Sequence, residues 1–128
     1  MNNHPPSVLI MMAHGSRKIE ANEEFKQLVD KVALTATDYA LVTHCFLEIA
    51  SPNLETCITQ CAALGYQHYD LYPLFFNQGN HVTRDIPQQI QQAQQQHPQC
   101  HIRQLQYFGL FNGLATSIHQ HIQHRSNK

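Results

Sequence analysis

Three side chains able to ligate a transition metal and move protons recur at even intervals along this chain: His14, Glu48 and His81. His14 stands in "AHGSR", Glu48 in "FLEIASP" and His81 in "NQGNHVTRDIP", with separations of 34 (48 − 14) and 33 (81 − 48) positions. Two imidazoles and one carboxylate suit a borderline divalent ion such as Fe, Co, Ni or Zn. Neutral imidazole, with a reference pKa near ~6.5, also accepts protons at neutral pH. A carboxylate beside it can offset an ion's charge or take a proton in turn. Taken singly, each residue has an ordinary reading, a polar loop histidine or a solvated glutamate. Metal chemistry requires all three in one place.

The elements that must place them follow from the apolar pattern. "SVLIMMA" (7–13) is a short continuous apolar run, as expected of a strand buried on both faces. Phe25, Leu28, Val29, Val32, Ala33 and Ala36 form a helical stripe. "YALVTHCF" (39–46) reads as a second strand. Ser51 and Pro52 read as cap and first turn of a helix through Leu54, Ile58, Cys61 and Ala62, with Gly65 as its left-handed stop. "YDLYPLFF" (69–76) reads as a third strand with an irregular end at Pro73. A helix with Ile86, Ile90 and Ala93 follows His81 and stops before Pro98, its outer face rich in glutamine. Residues 100–107 read as a fourth strand, and Leu110, Leu114, Ile118 and Ile122 stripe a last helix.

Four βα units in succession predict a doubly wound α/β fold, a mostly parallel four-stranded sheet with helices on both faces. Ligands in such sheets bind beyond the carboxyl ends of the strands, near the point where strand order reverses. His14, Glu48 and His81 follow the first, second and third strands. Adjacent strands lie ~4.8 Å apart, so side chains leaving their ends can converge on one ion.

Composition narrows the partners. The 128 residues suffice for one domain, expected over 1–128 with mobile tails at 1–6 and 123–128. A net charge of −1 argues against nucleic acid or a membrane surface held by bulk electrostatics. Cys45, Cys57, Cys61 and Cys100 form no CxxC pair and read as buried thiols. No stretch is long enough to span a bilayer, and the first residues do not read as a signal peptide, so the expected compartment is the cytoplasm. The ten histidines include three in "HQHIQHR" near the C-terminus, which read as a solvated helix face.

Local donors fit an anionic organic ligand near the ion. Gly15 and Gly79 would allow close backbone approach. Ser16, Arg17, Asn80, Thr83 and Arg84 stand at expected helix starts, where free N–H groups favour carboxylates or phosphates. For Ser16 and Thr83 the plainer role is helix capping, and for the two arginines it is surface charge.

"LIMMAHGSRKIEANEEF", "CFLEIASPNLETCI" and "YPLFFNQGNHVTRDIP" together resemble the signature blocks of the small CbiX-type (SirB-like) sirohydrochlorin chelatases, class II chelatases. The likeness runs from about Val8 to Leu114. It implies a chelatase-like fold, a flavodoxin-like half, and insertion of Co2+, Fe2+ or Ni2+ into sirohydrochlorin without ATP or an organic cofactor. It further implies a homodimer, with His14 and His81 as catalytic, metal-binding histidines and Glu48 as their acidic partner. The metal is then a substrate. Ser16, Arg17, Asn80, Thr83 and Arg84 would meet the peripheral carboxylates, with Leu47, Phe75 and Phe76 near the ring.

Three other readings compete. A flavodoxin-like nucleotide or flavin module would share the fold, but "AHGSRKIEAN" lacks a glycine-rich phosphate cradle. A phosphohistidine-type phosphatase would want an arginine where Ala13 stands. A metal store or chaperone has only the His-rich tail in its favour.

Overall fold

A computed structural model describes residues 7–125. The tails expected at 1–6 and 126–128 lie outside the described residues, whereas Gln123, assigned to a tail from sequence, ends a helix. The elements are β1 (Ser7–Ala13), α1 (Ile19–Thr35), β2 (Leu41–Phe46), α2 (Leu54–Ala63), β3 (His68–Pro73), a π turn (His81–Asp85), α3 (Ile86–Gln96), β4 (His101–Gln104), a 3-10 turn (Phe108–Leu110) and α4 (Leu114–Gln123).

All four strands are parallel, in the order β2-β1-β3-β4. β1 pairs with β2 from Val8↔Leu41 to Ala13↔Phe46, and with β3 from Ser7↔His68 to Met12↔Pro73. Side chains alternate between the faces of β1. Val8, Ile10 and Met12 join Cys45, Tyr69 and Leu71 in a core closed by Leu54, Cys57, Ile58 and Cys61 of α2 and by Ile86 and Ala93 of α3. Leu9 and Met11 point the other way, onto Phe25 and Val29 of α1 and Phe46. This two-sided burial is why β1 reads as an unbroken apolar run. The four thiols are free and buried, and burial pushes Cys45 well above the ordinary thiol range.

Asp70 is the charged residue buried in this sheet, 9% exposed. Tyr39 donates to its Oδ2 at 2.6 Å, and Arg103, its register partner on β4, donates from Nε and Nη2 at 2.9 Å each. Burial pushes the carboxyl up, but the Arg103 and Tyr39 hydrogen bonds outweigh it and hold the group below its ordinary value. Burial and then the bond to Asp70 raise Tyr39 to about 12.

The sequence reading extends several elements too far. β2 begins at Leu41 because the Tyr39 N–H is spent on Ala36 O, at 3.2 Å, in the turn that leaves α1. β3 ends at Pro73, and β4 is only four residues long. α2 begins at Leu54, capped by Asn53, whose Oδ1 accepts from Thr56 N at 2.8 Å; Ser51 and Pro52 precede the cap. Leu28, placed on the buried stripe of α1, is 41% exposed. No residue of α4 is buried, so its stripe Ile118 and Ile122 remains about half exposed, and Leu110 belongs to the preceding turn.

Candidate metal site

The first two arms of the site are built by backbone pairing that outlasts the strands. Leu47 N donates to Ala13 O at 2.8 Å, and Glu48 N to His14 O at 3.0 Å. Gly15, at φ +101°, lets the two loops stack, since a Cβ there would lie 1.9 Å from the Glu48 carbonyl oxygen. The result sets His14 Nε2 2.8 Å from Glu48 Oε2. The other ring nitrogen, Nδ1, lies 3.1 Å from the Gly15 carbonyl, to which it can only donate.

The third arm comes from across β1. Leu74 N donates to Met12 O at 2.8 Å, so β3 stays against β1 as it leaves the sheet. The chain then turns through residues 77–80 into the π turn that carries His81. Pro87 follows this turn, in the first turn of α3, and offers no N–H to the Thr83 carbonyl four residues back. Ile86 N bonds to His81 O, five residues back, and the released Val82 carbonyl accepts from Gln104 Nε2 at 3.3 Å.

His81 thereby meets His14 edge-on, with ring centroids 4.9 Å apart and planes at 61°. One ligand atom from each of His14, Glu48 and His81 lies within 4.8 Å of the others. In a closed tetrahedral site with bonds near ~2.1 Å, ligand atoms sit roughly 3.4 Å apart; here His14 and Glu48 approach to 2.8 Å and the whole set spans no more than 4.8 Å, within reach of one ion. The three side chains are 43%, 53% and 44% exposed, which leaves one side open for a second ligand to approach. β1 and β3 flank the place where strand order reverses, as the topological rule requires.

The flanking residues divide. Ser16 organises its own loop: its Oγ accepts from Lys18 N at 3.0 Å, and Asn22 bonds both its N–H and its carbonyl. Arg17 and Asn80 are exposed and Arg84 lies 3.6 Å from Asp85. Thr83 Oγ1 donates to Gly79 O at 3.0 Å. Phe76 is 68% exposed and meets Phe108 edge-on, while Phe75 sits 6.2 Å from the His81 ring. Gly79, expected to permit close approach, has nothing within 4 Å of its Cβ position. That role falls to Gly15, and also to Gly109, which presses on the Phe76 carbonyl and was not legible from sequence. Also unread in the sequence is Asp85, whose Oδ2 lies 2.8 Å from His81 Nδ1; the i, i+4 spacing of His81 and Asp85 was the available signal.

Comparison with known proteins bears on this geometry. The chain is 28% identical over 102 residues, 80% of its length, to the sirohydrochlorin ferrochelatase of Priestia megaterium, of which it spans 38%. It superposes on a cobalamin (vitamin B12) biosynthesis CbiX protein from Marinobacter aquaeolei VT8 with a TM-score of 0.82 at 24% identity, covering 93% of this chain and 96% of that one. It also superposes on the sirohydrochlorin chelatase SirB from Bacillus subtilis subspecies spizizenii, crystallised with cobalt, with a TM-score of 0.84 at 21% identity, covering 94% of this chain and 51% of that one. These likenesses establish the fold. The model of the CbiX family matches residues 8–125, nearly the whole chain, and this protein belongs to that family.

Proposed function

We propose that this protein inserts a divalent metal, Co2+, Fe2+ or Ni2+, into sirohydrochlorin without ATP, working as a cytoplasmic homodimer. The convergence of His14, Glu48 and His81 at the strand ends carries the reading. Relatives named as sirohydrochlorin ferrochelatase and cobaltochelatase, and a SirB structure holding cobalt, support the substrate and the metal class.

The metal is a substrate and must leave, so a half-exposed ligand set serves better than a closed one. Between His14 Nε2 and Glu48 Oε2, 2.8 Å apart, a proton or a cation can sit, but not both, so metal entry releases a proton. Insertion exchanges two pyrrole N–H protons for one M2+; the freed His14–Glu48 pair is placed to accept one as the ion departs, and the other passes to water on the open side of the site. Arg17, Arg84 and Asn80, all exposed, meet the peripheral carboxylates, while Thr83, whose hydroxyl donates to Gly79 O, braces the turn that carries His81 and Arg84. Phe76 offers an apolar face to the ring and Ser16 holds the loop that carries Arg17.

The site is open on one side, and the chain accounts for about half of SirB. A second copy supplies the other wall of the cleft. The surface suited to it is the uncovered stripe of Leu110, Phe111, Ile118 and Ile122, between 47% and 54% exposed. Ile118→Asp with Ile122→Asp is expected to weaken dimerisation by roughly 100-fold or more, from the lost burial of two isoleucines. Sedimentation equilibrium measures it, and an unchanged dimer removes α4 from the interface.

The function is tested by anaerobic insertion assays with Co2+, Fe2+ and Ni2+, following the visible spectrum of sirohydrochlorin. Catalytic turnover with at least one metal is expected. Metal loading with no tetrapyrrole product would leave a metal-binding protein instead.

A further inference from the structure

We propose that Asp85 is a positioning residue, which acts through His81 to keep that imidazole in the tautomer with a bare Nε2. This deepens the chelatase reading of the same site and rests on His81 being a metal ligand.

The geometry is one-directional. Asp85 Oδ2 lies 2.8 Å from His81 Nδ1, and a carboxylate can only accept there, so Nδ1 carries the hydrogen. The lone pair is then left on Nε2, which has no hydrogen-bond partner among the described residues. His14 is held differently: its Nε2 is already engaged by Glu48 and its Nδ1 faces the Gly15 carbonyl. Of the two imidazoles, His81 alone presents an unshared nitrogen.

Asp85 is itself fixed. Its side chain is 33% exposed, its second oxygen lies 3.6 Å from Arg84 Nε, and it ends the π turn that begins at His81. The backbone of His81 is pinned by Ile86 N and that of Val82 by Gln104, so neither partner in the pair can swing away without opening the turn. A carboxylate bonded to the far nitrogen of a ligating histidine fixes the ring's orientation and raises its basicity, and its loss typically costs about 10–100-fold in metal affinity.

The test uses the full chain and Co2+ alone. Long-range 1H–15N NMR on histidine-labelled protein reports the His81 tautomer, and visible absorbance reports Co2+ affinity. Asp85→Ala is expected to move His81 away from the Nδ1–H form and to weaken Co2+ binding about 10–100-fold, with Asp85→Glu restoring both in large part. An alanine variant that keeps the tautomer overturns the proposal, whether or not its affinity falls, because a loss of affinity alone would be structural. Neither readout involves sirohydrochlorin. Failure of turnover in the parent protein would therefore sink the functional reading without touching this one.

Discussion

With His14 and His81 both replaced by alanine, the proposed insertion of Co2+ into sirohydrochlorin is expected to fall to the rate without protein, a loss of at least about 10³-fold. Two of the three clustered ligands disappear, and with them both imidazoles of the cluster. A lone exposed carboxylate is a poor site for a borderline divalent ion, which prefers nitrogen and sulfur donors. The proton acceptor beside the ring is lost in the same step, an effect worth about 10²–10⁴-fold in comparable acid–base chemistry. The fold should survive. Both side chains are more than two-fifths exposed and lie outside the two core clusters, so truncation leaves no cavity. Single replacements, Glu48→Gln included, should fall between the parent and the double variant in both Co2+ affinity and insertion rate. Unchanged far-UV dichroism with insertion near the parental rate would remove the three-residue cluster from the chemistry.

That cluster was readable before any coordinates because two independent regularities pointed to it. β1 is buried on both faces, so its limits, Ser7 and Ala13, stand out as apolar edges, and the residue after it is a histidine. The βα repeat then placed Glu48 and His81 at equivalent ends. Other boundaries blurred because apolar side chains outrun the ladder: Leu74 and Leu105 still pack against the α1-side core after β3 and β4 have ended. Ser51 and Pro52 imitate a helix start by type, yet Asn53 makes the capping bond. The π turn was invisible in the hydrophobic pattern, since Val82 and Ile86 are buried at the same i, i+4 spacing as in an ordinary helix. The stripe on α4 announced an amphipathic helix but carries no information on what covers it. Glycines were the least legible, because composition does not reveal what faces a missing Cβ.

Gly15→Ala and Gly79→Ala, alike on paper, should diverge widely. At Gly15 the added methyl would lie 1.9 Å from the Glu48 carbonyl oxygen and 3.1 Å from its carbon, both backbone atoms that cannot rotate aside. The backbone there has φ +101°, where a side chain adds strain of about 1–3 kcal/mol even in open space. Relief requires the 47–50 segment to move off the β1 loop. That motion breaks the bonds from Leu47 N to Ala13 O and from Glu48 N to His14 O, each worth about 1 kcal/mol. It also carries Glu48 away from His14 Nε2. The expected outcome is a loss of about 3 kcal/mol or more in urea unfolding and at least about tenfold in Co2+ affinity, since a displacement near 1 Å can cost far more than that in a positioned site. At Gly79 the same methyl meets nothing within 4 Å, and the change should stay within about 0.5 kcal/mol of the parent. Parental stability and Co2+ affinity in Gly15→Ala would mean that the stacked loops do not hold Glu48 against His14.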